Sequence, residues 1–423
     1  MRRASIVVVA LACSAALLTG CGDDGAGSTS ATPAGHSIRV PADKPTISAA
    51  VDAAADGDLI LVSPGIYKEA VTVETPNITI RGLDRNTVII DGEFARENGI
   101  KIFSNGVSIE NLTVRNHLQN GVFFTGTYSD DAAKNQVLSG YRASYITAYD
   151  NGLYGVYVFN ATKGQIDHSY GSGHPDSGFY VGQCNPCDSL LTDLTSEHNM
   201  LGYSGTNSTG VTIINSVWRK NRAGIVPNSL KGEKLGPNSG TVIAGNLVED
   251  NDDAASPNNQ SFSVAFGNGV VLAGTSNIAV HDNLVRGHVN AGIAITDLPD
   301  AFKPEKNQVT KNTLSDNGTD LVYLTVNFAS MPFGNCFSDN KVTTVFPDGL
   351  QEKMACPVPA ETDLGDLSGI LGRLTGAPPD VDYKTVAPPP DQTSMPDAAT
   401  APVRRASDGP DRIDLASVTT PAG

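Results

Sequence analysis

Along the middle of the chain, short strand-like runs alternate apolar and polar positions, and a glycine introduces each run. The glycines are Gly99, Gly121, Gly155, Gly178, Gly202, Gly224, Gly269 and Gly292, as in Asn120-Gly121-Val122 and Ala291-Gly292-Ile293. The steps between them are 22, 34, 23, 24, 22, 45 and 23 residues, so one repeat takes 22 to 24 and the long steps carry insertions. A fixed period in this range, with β-type alternation, predicts a solenoid in which each coil buries its apolar face only by stacking. The insertions fall at 126–141 and 228–239, and a third irregular stretch covers 250–263.

Both ends of the repeat carry their own signals. Residues 46–54 (TISAAVDAA) predict a short amphipathic helix with Ile47, Val51 and Ala54 on one stripe, ended by Asp56-Gly57-Asp58. Such a helix covers the open end of an apolar solenoid core. Strands follow at 59–62, 71–73, 78–80 and 88–90, bounded by Gly, Pro, Asn or Asp. A second register comes from Asn111, Asn215, Asn246, Asn283 and Asn312, with Asn116, Asn221, Asn251 and Asn317 five or six residues after most of them. Stacked asparagines bond to the coils above and below and tolerate left-handed backbone, so these are read as structural. After Cys356 the composition turns rich in Pro, Ala and Asp. Apart from a short helix near 366–374 capping the last coil, 357–423 is expected to be mostly disordered.

Composition narrows the partners. Of 423 residues only 17% are charged and the net charge is −16, which disfavours nucleic acid or an anionic membrane surface as a partner. An anionic polysaccharide stays compatible, because a local basic patch can override the average. Met1-Arg2-Arg3 followed by the apolar run 6–18 predicts a secretory signal over 1–20. It ends in Leu18-Thr19-Gly20-Cys21, which resembles a bacterial lipobox and implies a lipid on Cys21, with 21–37 as a flexible tether. The protein is then expected to be exported and to meet the membrane only through that anchor. With Cys13 and Cys21 assigned to the export segment, four cysteines remain, and an even number outside the cytoplasm predicts Cys184–Cys187 and Cys336–Cys356 disulfides.

The run TISAAVDAAADGDLILVSPGIY, then ITIRG, TVIIDG and the IENLTVRN…NGV repeats resemble the right-handed parallel β-helix proteins of the pectin-lyase-like superfamily. The resemblance implies an all-β, single-stranded right-handed parallel β-helix over 38–356. It says little about activity, since the fold serves polysaccharide lyases, hydrolases and epimerases, non-catalytic surface proteins and a periplasmic copper-handling group.

Candidate chemistry follows from using the glycine as a ruler. The second residue after each glycine faces outward, which puts Phe123, Tyr157 and Tyr180 on three consecutive coils, about 4.8 Å apart. Exposed stacked rings suit the apolar faces of sugars, and the insertions would wall a cleft over them. Four residues before the glycines stand His117, Asn151, His174, His198, Lys220 and His288, with Asp176 and Arg222 two residues closer to the strand. A uronate lyase or C5-epimerase needs a base for the α-proton and a cation on the carboxylate, roles that His174 or His198 and Lys220 or Arg222 would fill. A glycoside hydrolase would need paired carboxylates, for which Asp176 with Glu197 is the nearest candidate. Two other expectations stand beside these. A soft-metal site for copper or zinc would use Cys184, Cys187 and His198, with Met200 near, and Asp250, Asp252 and Asp253 have a calcium-loop composition. A non-catalytic envelope or adhesion protein would need none of these groups.

Overall fold

In a computed structural model the chain is described over residues 36–422, apart from 130, 132–133, 260–262, 298–299 and 301. The export segment with Cys21 therefore lies outside the described residues. The repeat closes into coils of three strands, of which Ser177–Gly182, Ser189–Thr192 and Thr195–Glu197 make one before Leu201–Thr206 starts the next. All strand ladders are parallel. The glycine-led strands form an eleven-stranded sheet, and the other two rows of each coil share a twenty-stranded one. The chain is a right-handed parallel β-helix.

Alternation decides what goes inside. Phe179, Tyr203, Ile225, Val270, Ile293 and Leu321 pair in register from coil to coil. Each is fully buried, and burying such a side chain stabilises by roughly 1.5–3 kcal/mol. The predicted helix forms at Ile47–Ala53, with Thr46 capping the Ala49 N–H, and sets Ile47 and Val51 on the first coils. At the far end Leu350–Lys353 is helical and buries Leu350 beside Met354. The Cys336–Cys356 disulfide ties the last long-sheet strand to the residue beyond that helix, and Cys184–Cys187 closes the CNPC turn.

The glycine column has a packing cause. A Cβ on Gly155 would sit 2.5 Å from the Gly178 carbonyl oxygen and 2.8 Å from the His174 ring. On Gly202 it would meet the Gly224 oxygen at 2.7 Å. Successive coils approach too closely there for any side chain.

The C-terminal segment lies against the solenoid. It has almost no regular structure, yet it is bound along the solenoid through its own carbonyls. Arg222 donates to the Pro378 and Pro379 oxygens, Arg85 to Thr393, and Arg81 to Ala401 and Pro402. Asn290 pairs with both backbone groups of Thr375, and Met395 donates to Asn111. Ile370 and Val418 are buried against the coils. A proline-rich chain cannot pair its own backbone, but buried arginines supply the donors that its carbonyls need.

Candidate functional site

The outward column is where the alternation puts it. Lys101, Phe123, Tyr157, Tyr180 and Ser204 are register partners on consecutive coils. Phe123 and Tyr157 stack at 4.7 Å between ring centres, and Tyr157 meets Tyr180 at 4.9 Å. Tyr154, in the turn before its strand, lies flat on Tyr157 at 4.4 Å and 8°. Phe123, Tyr154 and Tyr157 keep part of their surface exposed, whereas Tyr180 is buried beneath them. The insertion after Phe123 adds Tyr128, whose hydroxyl donates to the Gln183 carbonyl and whose ring meets Phe159 edge-on. Two lysines lie at the edge of this platform, Lys101 at 5.5 Å from the Phe123 centre and Lys234 of the second insertion at 5.1 Å from that of Tyr128, with the Glu233 charge also near Tyr157 and Tyr180.

One residue of the expected ionisable group joins the platform. Asp176 is buried at its foot, where Ser177 and Asn259 donate to its two carboxylate oxygens and the Tyr154 phenol lies close by. Burial pushes its carboxyl above the ordinary range despite those donors, and burial with the nearby Asp176 charge holds the Tyr154 phenol far up.

The rest of that group disperses. His174 is fully buried in an inward ladder whose successive members are His117, Asn151, His174, Asn199, Asn221, Asn251, His288 and Asn317. Its Nδ1 donates to Asn199 Oδ1 at 2.7 Å, and its Nε2 accepts from Asn151 Nδ2 at 3.3 Å. Burial disfavours the charged ring, and the imidazole falls to about 4 although its bond to Asn199 acts the other way. His174 is therefore a ladder member with no open face for a substrate.

His198 and Lys220 are not in the ladder. The turn between ladder residue and glycine is one residue shorter in the coils of Gly202 and Gly224 than in that of Gly178, so the ruler slips by one. Asn199 and Asn221 fill the ladder, and His198 and Lys220 take the preceding left-handed turn position with φ of 58° and 50°. Asn116 and Asn215 also take left-handed positions, each just before a residue whose backbone N–H bonds the next coil, His117 to Asn151 and Ser216 to Asn246. His198 bonds Asp253 at 2.9 Å on the outer edge. Arg222 is buried and bound to carbonyls of Ser256, Pro378 and Pro379, with no free fork for a carboxylate. Glu197 lies in the other sheet, taking bonds from Tyr170 and Arg219, and does not pair with Asp176.

Tyr154 and Tyr128 were not singled out by the ruler, since both lie in turns. The sequence signal that would have found Tyr154 is its place directly before a column glycine, above an aromatic strand.

With the fold and site in place, the chain can be set beside known proteins. The model of a family described as periplasmic copper-binding protein (NosD) matches residues 145–353, just under half of the chain. No curated protein matches in sequence. Among solved structures, the A-module of Azotobacter vinelandii mannuronan C-5 epimerase AlgE6 is 13% identical, covering 70% of this chain and 91% of that one with a TM-score of 0.46. An alginate lyase from Paenibacillus is 13% identical over 73% and 99%, with a TM-score of 0.43. The catalytic unit of a GH87 α-1,3-glucanase from Streptomyces thermodiastaticus is 14% identical over 75% and 71%, with a TM-score of 0.45. Likeness at this level adds nothing to the coil geometry described above.

Copper is a property of the matched family and was tested against this chain's own residues. Among the described residues no three His, Cys, Asp or Glu side chains gather in a way that would hold a metal ion. Cys184 and Cys187 are joined to each other, His198 is turned to Asp253, and Asp250 and Asp252 do not gather with Asp253 into such a group. Among the described residues these groups do not fit a copper, zinc or calcium site. The two disulfides are those of an exported protein.

Proposed function

We propose that the protein binds an acidic polysaccharide across the Phe123–Tyr157–Tyr154 platform, outside the cytoplasmic membrane, where a lipid on Cys21 tethers it. The observation that carries this reading is the pairing of partly exposed, stacked rings with Lys101 and Lys234 at their rim, in a chain whose net charge is −16. Rings take the apolar faces of successive sugars, and the lysines meet their carboxylates. An overall acidic protein has no general attraction for polyanions, so a local pair of cations on an aromatic surface is a specific feature.

The test is a panel of alginate, pectate, glucuronan and glycosaminoglycans titrated against the described domain. Saturable binding to a uronate polymer, weakened by salt and by Tyr157→Ala, is the expected outcome; no binding to any of them would remove the reading. The same incubations followed at the unsaturated-uronate absorbance test turnover. Asp176 with Tyr154 is the pair beside the platform that could hold and move a proton, so any lyase activity must vanish in Asp176→Asn. Turnover that survives Asp176→Asn excludes that pair, and binding without turnover leaves a surface binding protein of the envelope.

A further inference from the structure

The outward column continues past the platform, and its character changes. From Ser204 onward it runs through Val226, Val271, Ala294 and Val322. These apolar positions floor a cavity of about 740 Å³, and the crossing C-terminal segment roofs it with Ile370, Leu371 and Leu374. The floor spans three inter-coil steps, roughly 14 Å.

We propose that this cavity binds a single long-chain amphiphile with an anionic head, of the fatty-acid class. Three observations point there. First, exposed apolar surface is concentrated at this place: of thirteen large hydrophobic side chains exposed among the described residues, Val264, Val289, Val326, Leu371 and Leu374 line this cavity. A contiguous apolar patch on an exported protein marks a binding site more often than chance. Second, the buried polar side chains of the lining, Asn268, Asn290 and Asp297, are already bonded within the protein. Asp297 accepts the backbone N–H groups of Val326 and Asn327, and Asn290 is paired with Thr375. The floor strands have their backbone bonds within the sheet, so a ligand with hydrogen-bonding needs along its length would bury them unmet. An alkyl chain has none. Third, among the described residues Arg373 is the one cation of the lining, exposed on the roof and without an ion-pair partner, whereas the one lining carboxylate, Asp297, is buried and held by the Val326 and Asn327 N–H groups. Arg373 is placed to meet a carboxylate at the mouth while the chain fills the floor. The volume lies in the range of pockets that enclose small apolar ligands.

The site is separate from the sugar platform and does not depend on it. The test uses the exported chain stripped of bound lipid by a hydrophobic resin, titrated with the fluorescent fatty acid cis-parinarate and then competed with dodecanoate or dodecanol. Saturable one-to-one binding displaced by dodecanoate is expected. Ala294→Trp, which fills the floor, should weaken it roughly tenfold or more, and Leu371→Trp on the roof does the same should the floor variant fail to fold. Arg373→Glu should weaken dodecanoate about threefold while leaving dodecanol unchanged. Absence of saturable binding, or equal binding by wild type and a folded cavity-filling variant, overturns the site. Equal response of acid and alcohol to Arg373→Glu overturns the anionic head.

Discussion

Two columns of side chains climb the same coils a few residues apart, one turned inward before each glycine and one turned outward after it. The inward column is nearly uniform, Asn or His at every step, because from Asn151 onward the side chains bond from coil to coil, while His117 at its start joins only through its backbone N–H. The outward column changes from lysine to aromatic to valine, because no neighbour above or below dictates it. Uniformity marks the column that holds the coils together, and variation marks the one free to acquire function. His174 and Tyr157 illustrate the difference. Only one residue separates a ladder position from a solvent-facing turn, and that spacing decides whether an imidazole is part of the ladder, as His174 is, or lies at the outer edge, as His198 does.

The sharpest way to break the comparison is to truncate the ladder. Asn221 Oδ1 accepts both the backbone N–H and the side-chain amide of Asn199, and its own amide serves three acceptors. Asn221→Ala leaves these buried groups unmet and should lower stability by about 3 kcal/mol, measured by chemical denaturation. An unchanged midpoint would mean that the ladder is ornament.

Acid is the next probe. His174 and His288 are both held to about 4 by burial, from an ordinary value of 6.5. A lowered folded value means that the unfolded chain binds the proton first. The stability they contribute is complete above pH 6.5 and is lost as pH falls towards 4, by up to about 1.4 kcal/mol per pH unit for each histidine. Asp150, raised to about 8 by burial, acts in the opposite sense, losing stability as pH rises through the same window. The readout is therefore the difference between wild type and the His174→Asn/His288→Asn double variant, which should be less acid-sensitive than wild type between pH 6.5 and 4.

On the outward column the expected effect moves from stability to binding. Tyr157→Ala should weaken glycan binding roughly tenfold, about 1.4 kcal/mol, in isothermal titration, with a far smaller change in denaturation midpoint than Asn221→Ala. The smallest effect is expected from His174→Asn alone. It restores the residue that most other coils carry, so it should cost under about 1 kcal/mol and leave glycan binding and any turnover unaltered. A large loss of turnover in that variant would return His174 to the active group.

Much of the fold was legible because it is periodic. From Gly99 to Gly292 the column is glycine because a Cβ there would meet the next coil, at 2.5 Å from a carbonyl oxygen in the case of Gly155, and alternation then fixes Phe123, Tyr157 and Tyr180 as outward partners. The capping helix and both disulfides were legible for similar local reasons, a stripe of Ile47 and Val51 and an even count of cysteines. Turn length was not. Nothing in the sequence around Asn199 states that its coil is one residue shorter on that side than the coil of His174, and a one-residue change moved His198 and Lys220 out of the ladder.

The C-terminal segment shows the same boundary from the other side. By itself the sequence determined the solenoid, its period, its ends and the aromatic part of its outward face, since each follows from residues repeating against their own kind. Only the tertiary structure decided that the proline-rich tail lies against the solenoid, that Arg222 holds the Pro378 and Pro379 carbonyls, and that Leu371 and Leu374 roof a cavity over Val271 and Ala294. Those contacts join residues far apart in the chain, up to 157 positions for Arg222 and Pro379, with no shared period. Local propensity and repeat spacing carry no information about such pairings, which arise only when the buried donors of one region meet the unpaired carbonyls of another.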